Sequence, residues 1–88
     1  MNAPAAVRFE VSVNFGGVER ELELNEHESV QSVLERAMNL FEIQGNRHTL
    51  ALFDDTNREL TDLNQSVRDA GIKKGAVLVL RQSAVRGG

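Results

Sequence analysis

Val7, Phe9, Val11, Val13 and Phe15 alternate strictly with Arg8, Glu10, Ser12 and Asn14. A period of two over this stretch predicts a strand with one buried face. Gly16-Gly17 follows, a pair free to take positive φ. A second alternation comes next: Val18, Leu22 and Leu24 share a face, interrupted by Arg20, while Glu19, Glu21 and Glu23 point away. Together these segments read as an amphipathic β-hairpin with an acidic outer stripe. A lone hairpin cannot bury its apolar face, so the rest of the chain has to cover it.

Around Asn25 the period changes. Val30, Val33, Leu34, Ala37, Met38 and Phe41 recur at the spacing of a helix with one apolar stripe. The helix is expected over residues 29–43. Asn25 with Glu28, or Ser29 with Ser32, has the chemistry to cap its free amides, and Gly45 is placed to end it in a left-handed conformation. Thr49–Phe53 reads as a third strand, Asp54–Asn57 as a turn, and Arg58–Leu60 as a very short strand. Ser66–Asp69 looks like a single capped helical turn stopped by Gly71. Val77–Arg81 is a last strand whose continuous apolar character predicts a central, doubly covered position. The fold class that satisfies both hairpin and helix is α+β: a mixed sheet of four to five strands with one main helix across one face. The expected division is a flexible arm over residues 1–6, a domain over 7–81 and an extended tail over 82–88. No repeat and no linker divides the chain.

A chain of 88 residues and 9.7 kDa argues for one domain with one modest core. Its formal charge of −3 speaks against nucleic-acid binding, which needs a basic excess to meet phosphate. The absence of Cys removes disulfides, thiolate nucleophiles and thiolate metal sites, and fits a reducing, cytoplasmic setting. The longest apolar run, Ala76–Leu80, is far short of the ~20 residues that span a bilayer, and no signal peptide precedes it. No membrane and no nucleic acid are therefore expected as partners.

Enzyme chemistry finds little to stand on. His27 and His48 have no second ligand at helical spacing, so a metal site is not expected. Asp55, Asn57 and Glu59 alternate like a calcium loop, but Leu60 stands where that loop needs glycine; a turn built from Asp and Asn explains them better. Gly16-Gly17 precedes a strand rather than a helix, so it is no phosphate loop. The serines lack an elbow motif. No catalytic residue and no cofactor are expected of the chain, and it is not expected to be an enzyme.

The last residues carry the chemical information. At ordinary glycine frequency a Gly-Gly ending occurs by chance in about 0.5% of chains. A terminal carboxylate is a poor electrophile until adenylated; as an acyl-adenylate it can be attacked by a thiol, sulfide or amine. Two residues without Cβ fit a narrow channel leading to such an activating site.

From Val7 to Gly88 the chain resembles ubiquitin and the ubiquitin-like β-grasp proteins. The resemblance rests on the Gly-turn hairpin, the Val30–Phe41 stripe, the Leu50–Phe53 strand, Ser66-Val67-x-Asp69-x-x-Ile72-x-Lys74 before Leu78 and Leu80, and the ending Arg86-Gly87-Gly88. It is most similar to the modifiers of bacterial conjugation operons. The resemblance implies a β-grasp roll and a protein modifier. Gly88 would be adenylated, with ATP and magnesium, by a ubiquitin-activating-type enzyme. It would then pass through a thioester on a conjugating enzyme to amines of target proteins, and a deconjugating protease would reverse the bond. Arg81, Arg86 and Gly87 would guide the tail into the activating enzyme, and Lys74 would fall near a chain-forming lysine. The outer sheet face, at Ala51, Phe53 and Val79 among positions that alternate with the core, would meet partners.

Lys73, Lys74, Arg81 and Arg86 lie beyond Asp69, where no acid occurs. A basic end on an acidic body is expected to be steered toward an acidic channel mouth on the activating enzyme. Two other readings share the fold: a sulfur carrier whose Gly88 becomes a thiocarboxylate, and a non-covalent interaction domain with an idle tail.

Overall fold

The computed structural model describes residues 7–85. The expected arm over 1–6 and the positions Arg86, Gly87 and Gly88 lie outside the described residues. Strand β1 (Arg8–Phe15) and strand β2 (Val18–Asn25) pair antiparallel, in register from Arg8 opposite Asn25 to Phe15 opposite Val18. Gly16 and Gly17 join them with φ of 60° and 87°, two positive values in succession as a two-residue type I′ hairpin turn requires. Val11, Val13 and Leu24 are buried on the inner face, as the alternation predicts. Val18, opposite Phe15 beside the turn, is 49% exposed. Arg20, the interruption in the apolar pattern, reaches the far end of the helix: its Nη1 donates to the Leu40 carbonyl at 3.0 Å and its guanidinium carbon lies 5.3 Å from the Phe41 ring centroid.

Helix α1 (Val30–Leu40) buries Val30, Val33, Leu34, Ala37 and Met38 against the sheet. Of the two candidate pairs, only Ser29 with Ser32 caps the helix. Ser29 is the N-cap, its Oγ accepting from the Ser32 N–H at 3.1 Å, while Glu28 Oε1 accepts from the Asn25 N–H at 3.3 Å in the loop before it. The end differs from expectation. The helix stops at Leu40, and Glu42, not Gly45, takes the left-handed conformation, with φ of 55°. The Ile43 N–H returns to the Met38 carbonyl at 3.0 Å and the Glu42 N–H to the Asn39 carbonyl at 3.0 Å. That double return is a Schellman motif. It forms here because Ile43 packs against the core, and this contact outweighs the preference for glycine at the turn.

A 3-10 turn, Arg47–Thr49, leads into strand β3 (Leu50–Phe53), and strand β4 (Val77–Gln82) closes the sheet. The strand order is β2-β1-β4-β3. β4 runs parallel to β1 and antiparallel to β3. The central position expected of β4 is observed, but not the double cover: Leu78 and Leu80 are buried, while Val77 on the other face is 38% exposed. Arg58–Leu60 does not form a strand; it makes one bridge, Glu59 to Phe53. The sheet therefore has four strands among the described residues. The single turn after Ser66 is present. Ser66 Oγ accepts from the Asp69 N–H at 3.0 Å, and Gly71, with φ of 77°, ends it. The Val67 N–H donates to the Glu28 carbonyl at 2.7 Å, which docks this turn on the start of the helix. Val67, Ile72, Leu60 and Leu52 complete one core with the helix and hairpin residues.

Candidate functional site

The sequence places the chemistry at the C-terminal end, and three segments meet where that end leaves the sheet. The first is β4 itself, which extends one residue further than expected, to Gln82. The next residues were expected to be tail and are held instead. Ser83 is 4% exposed, and its N–H donates to the Thr49 carbonyl at 2.7 Å. Its Oγ donates to Glu59 Oε2 at 2.5 Å, the Ala84 N–H donates to Glu59 Oε1 at 2.8 Å, and the Val85 N–H donates to Ser83 Oγ at 3.1 Å. One carboxylate thus grips two successive residues. Charge-assisted bonds of this kind are about twice as strong as neutral ones. Ser83, Ala84 and Val85 are thus bonded back to the domain, although Val85 is 71% exposed. Sequence reading missed Glu59. The local alternation, with Leu60 turned inward, puts Glu59 on the opposite face, but nothing near it in the chain names a partner at Ser83.

The second segment is the outer face of β3 and β4. Ala51 and Phe53 do point away from the core, as the alternation requires. Both are buried all the same, Ala51 being 0% and Phe53 2% exposed. Arg81 contributes to this cover. It sits opposite Ala51 in the ladder, and its guanidinium carbon lies 3.6 Å from the Phe53 ring centroid. An arginine can cover apolar surface with its stem while its head stays wet. Val79 remains half-buried between them.

The third segment is the turn over residues 54–58, which fixes Arg81. Asp54 Oδ1 accepts from the Thr56 hydroxyl at 2.6 Å, the Thr56 N–H at 2.9 Å and the Arg58 N–H at 3.0 Å. The Thr56 hydroxyl bond, followed by the Arg58 amide, holds the Asp54 carboxyl below its usual range, against a smaller opposing effect of burial. The turn brings Asn57 round with φ of 69°, and Asn57 Oδ1 accepts a hydrogen bond from Arg81 Nη2. Arg81 thus has structural work on the outer face, and its expected guidance of the tail starts from a side chain already engaged.

Lys73 and Lys74 are exposed in the loop before β4, which leaves both amines in solvent. His27 is exposed, 3.6 Å from Glu26, and His48 is exposed elsewhere on the surface. Among the described residues no group of three or more His, Asp or Glu side chains is placed to hold a metal ion, and no helix is long and apolar enough to cross a membrane. The side chains gathered at this end hold shape: a carboxylate, a hydroxyl and a guanidinium, each bonded to its neighbours.

No protein-family profile and no curated relative matches the chain. Solved structures do. The ubiquitin-like domain of an Arabidopsis thaliana protein superposes with a TM-score of 0.76 at 21% identity, over 100% of this chain and 93% of that one. A designed protein based on ubiquitin gives 0.74 at 14% identity, over 88% of this chain and 90% of that one. ATBAG1, in a crystal structure with HSP70, gives 0.71 at 17% identity, over 89% of this chain and 42% of that one. With the strand order β2-β1-β4-β3 and one helix across the inner face, these likenesses establish that the chain has the ubiquitin-like β-grasp fold.

Proposed function

We propose that the protein is a ubiquitin-like modifier conjugated through Gly88, of the kind encoded in bacterial conjugation operons and working in the cytoplasm. The observation that carries this reading is a ubiquitin-like fold followed, a few positions past β4, by Arg86-Gly87-Gly88. The chemistry has three steps. The Gly88 carboxylate, whether encoded as the end or bared by a protease, attacks the α-phosphate of ATP on an activating enzyme, giving an acyl-adenylate and releasing pyrophosphate. An enzyme thiol then attacks the acyl carbon, forming a thioester and releasing AMP. Finally a target amine displaces the thiol and gives an amide. The chain's own part is that of a substrate. Its folded body serves as the handle, Gly87 and Gly88 leave the reacting carbonyl free of side chains, and Arg86 presents a charge to the enzyme.

The test is incubation of the full chain with ATP, magnesium and lysate of its source, followed by gel separation with and without thiol reductant. Reductant-labile and reductant-stable adducts that both vanish on deletion of Gly88 support the proposal. An oxygen-to-sulfur mass gain at the terminus transfers it to the sulfur carrier. No covalent change leaves a non-conjugated interaction domain. That second reading draws support from ATBAG1, whose structural likeness accompanies a complex with HSP70.

A further inference from the structure

At the end of the sheet opposite the hairpin turn, the first residues of β1, the loop entering α1 and the segment after the Ser66 turn enclose a groove of about 390 Å³. Its floor is apolar. Val7 is 52% exposed, Phe9 is half-buried, and Ile72 shows a 6% edge. Four cations stand round it: Arg8, Arg68, Lys73 and Lys74. One acid, Glu26, shares the rim. Backbone bonds tie the walls together. The Glu26 N–H donates to the Val7 carbonyl at 3.0 Å, and the Arg68 N–H donates to the Glu26 carbonyl at 3.0 Å.

The charge pattern runs against that of the whole chain. The protein carries −3, yet this groove gathers a cationic excess. Arg8 makes only a long contact of 4.0 Å with Glu23, both side chains being well exposed. Among the described residues, Arg68, Lys73 and Lys74 have no side-chain partner. Met1–Ala6, which precede the groove wall at Val7, contain no acid to neutralise them.

We propose that this groove is a docking site for an acidic peptide segment of a partner protein that inserts one bulky aliphatic or aromatic side chain. An apolar floor favours an anchor over a bare phosphate or a sugar–phosphate backbone. A ring of four cations, three of them without a side-chain partner and the fourth only loosely paired, favours carboxylates on both sides of that anchor. The site is independent of the diglycine, so its failure and that of the modifier reading are separable.

The experiment uses the full chain, labelled with nitrogen-15, titrated with the peptide acetyl-Glu-Asp-Phe-Glu-Leu-Glu-amide while amide shifts are followed. Shifts are expected to gather at Val7–Phe9 and at Arg68 and Ile72–Lys74. Affinity should fall about tenfold or more in the surface variant Arg68→Glu/Lys73→Glu. It should fall several-fold between ~50 and ~250 mM salt, as screening of exposed charges requires. Val7→Ser, at a half-exposed position that the fold tolerates, should weaken binding without altering the salt slope. Deletion of Gly87 and Gly88 should leave it unchanged. Four results would overturn the proposal: shifts that map elsewhere, indifference to the charge reversal, equal response to a peptide with every acid replaced by lysine, or self-association of the chain through this face in sedimentation equilibrium.

Discussion

Glu42 takes a left-handed backbone at the helix exit, with φ of 55°, where an L side chain costs roughly 1–2 kcal/mol and glycine almost nothing. Glu42→Gly is therefore expected to stabilise the protein by about 1 kcal/mol, which raises the melting temperature by about 4–8 °C in a domain of this size; a scanning calorimetry trace without an upward shift would refute it. Glu28 has a different role. Burial alone would raise its carboxyl, but the Ser32 hydroxyl at 2.6 Å, Arg36 Nη1 at 2.8 Å and the Asn25 amide outweigh that and hold it low. A carboxyl whose folded pKa lies below its unfolded value, about 4.3, stabilises above the unfolded value and loses that contribution as pH falls through the folded one. Glu28→Gln should lower stability near neutral pH by about 1–2 kcal/mol. It should also flatten the acid limb of the stability curve, as read by urea melts from pH 7 to 3.

At the level of elements, local periodicity was a sound guide. The hairpin, the helix stripe and the Ser66 turn each carry their pattern within one continuous stretch of chain, so residue spacing suffices to reveal them. The segment Arg58–Leu60 reads as a strand in the same way and is not one. Asp54 ties up the preceding turn, and only Glu59 reaches Phe53 across the ladder. Glu59 itself works over a distance of 24 positions in sequence, which no local pattern encodes. Its grip on Ser83 and Ala84 predicts that Glu59→Ala frees the end of β4. Hydrogen exchange at the Ala84 and Val85 amides should accelerate about tenfold or more, equivalent to loss of ~1–2 kcal/mol of local protection, with the amides of α1 unaffected. Unchanged exchange there would show that the strand end holds itself.

For the whole molecule, the modifier function proposed above makes the basic end matter for encounter with an activating enzyme. Neutralising Arg86 should slow activation of Gly88 and flatten its salt dependence, because steering acts on the rate of association. Arg81→Ala is expected to do more than remove charge: it uncovers Phe53 and costs about 0.5–1 kcal/mol of stability, so its kinetics are read beside a melt. If activation rates for the Arg86 variant match wild type at low salt, steering plays no part. Residue spacing alone specifies the set of parts, one amphipathic hairpin, one striped helix and two more strands, since periods of two and 3.6 arise within single elements. Their assembly was decided only in three dimensions. The parallel pairing of β1 with β4, the cover of Phe53 by Arg81 and the hold of Glu59 on Ser83 join residues far apart in the chain. Such contacts form only when burying the shared core brings β1 and β4 together in the middle of one sheet.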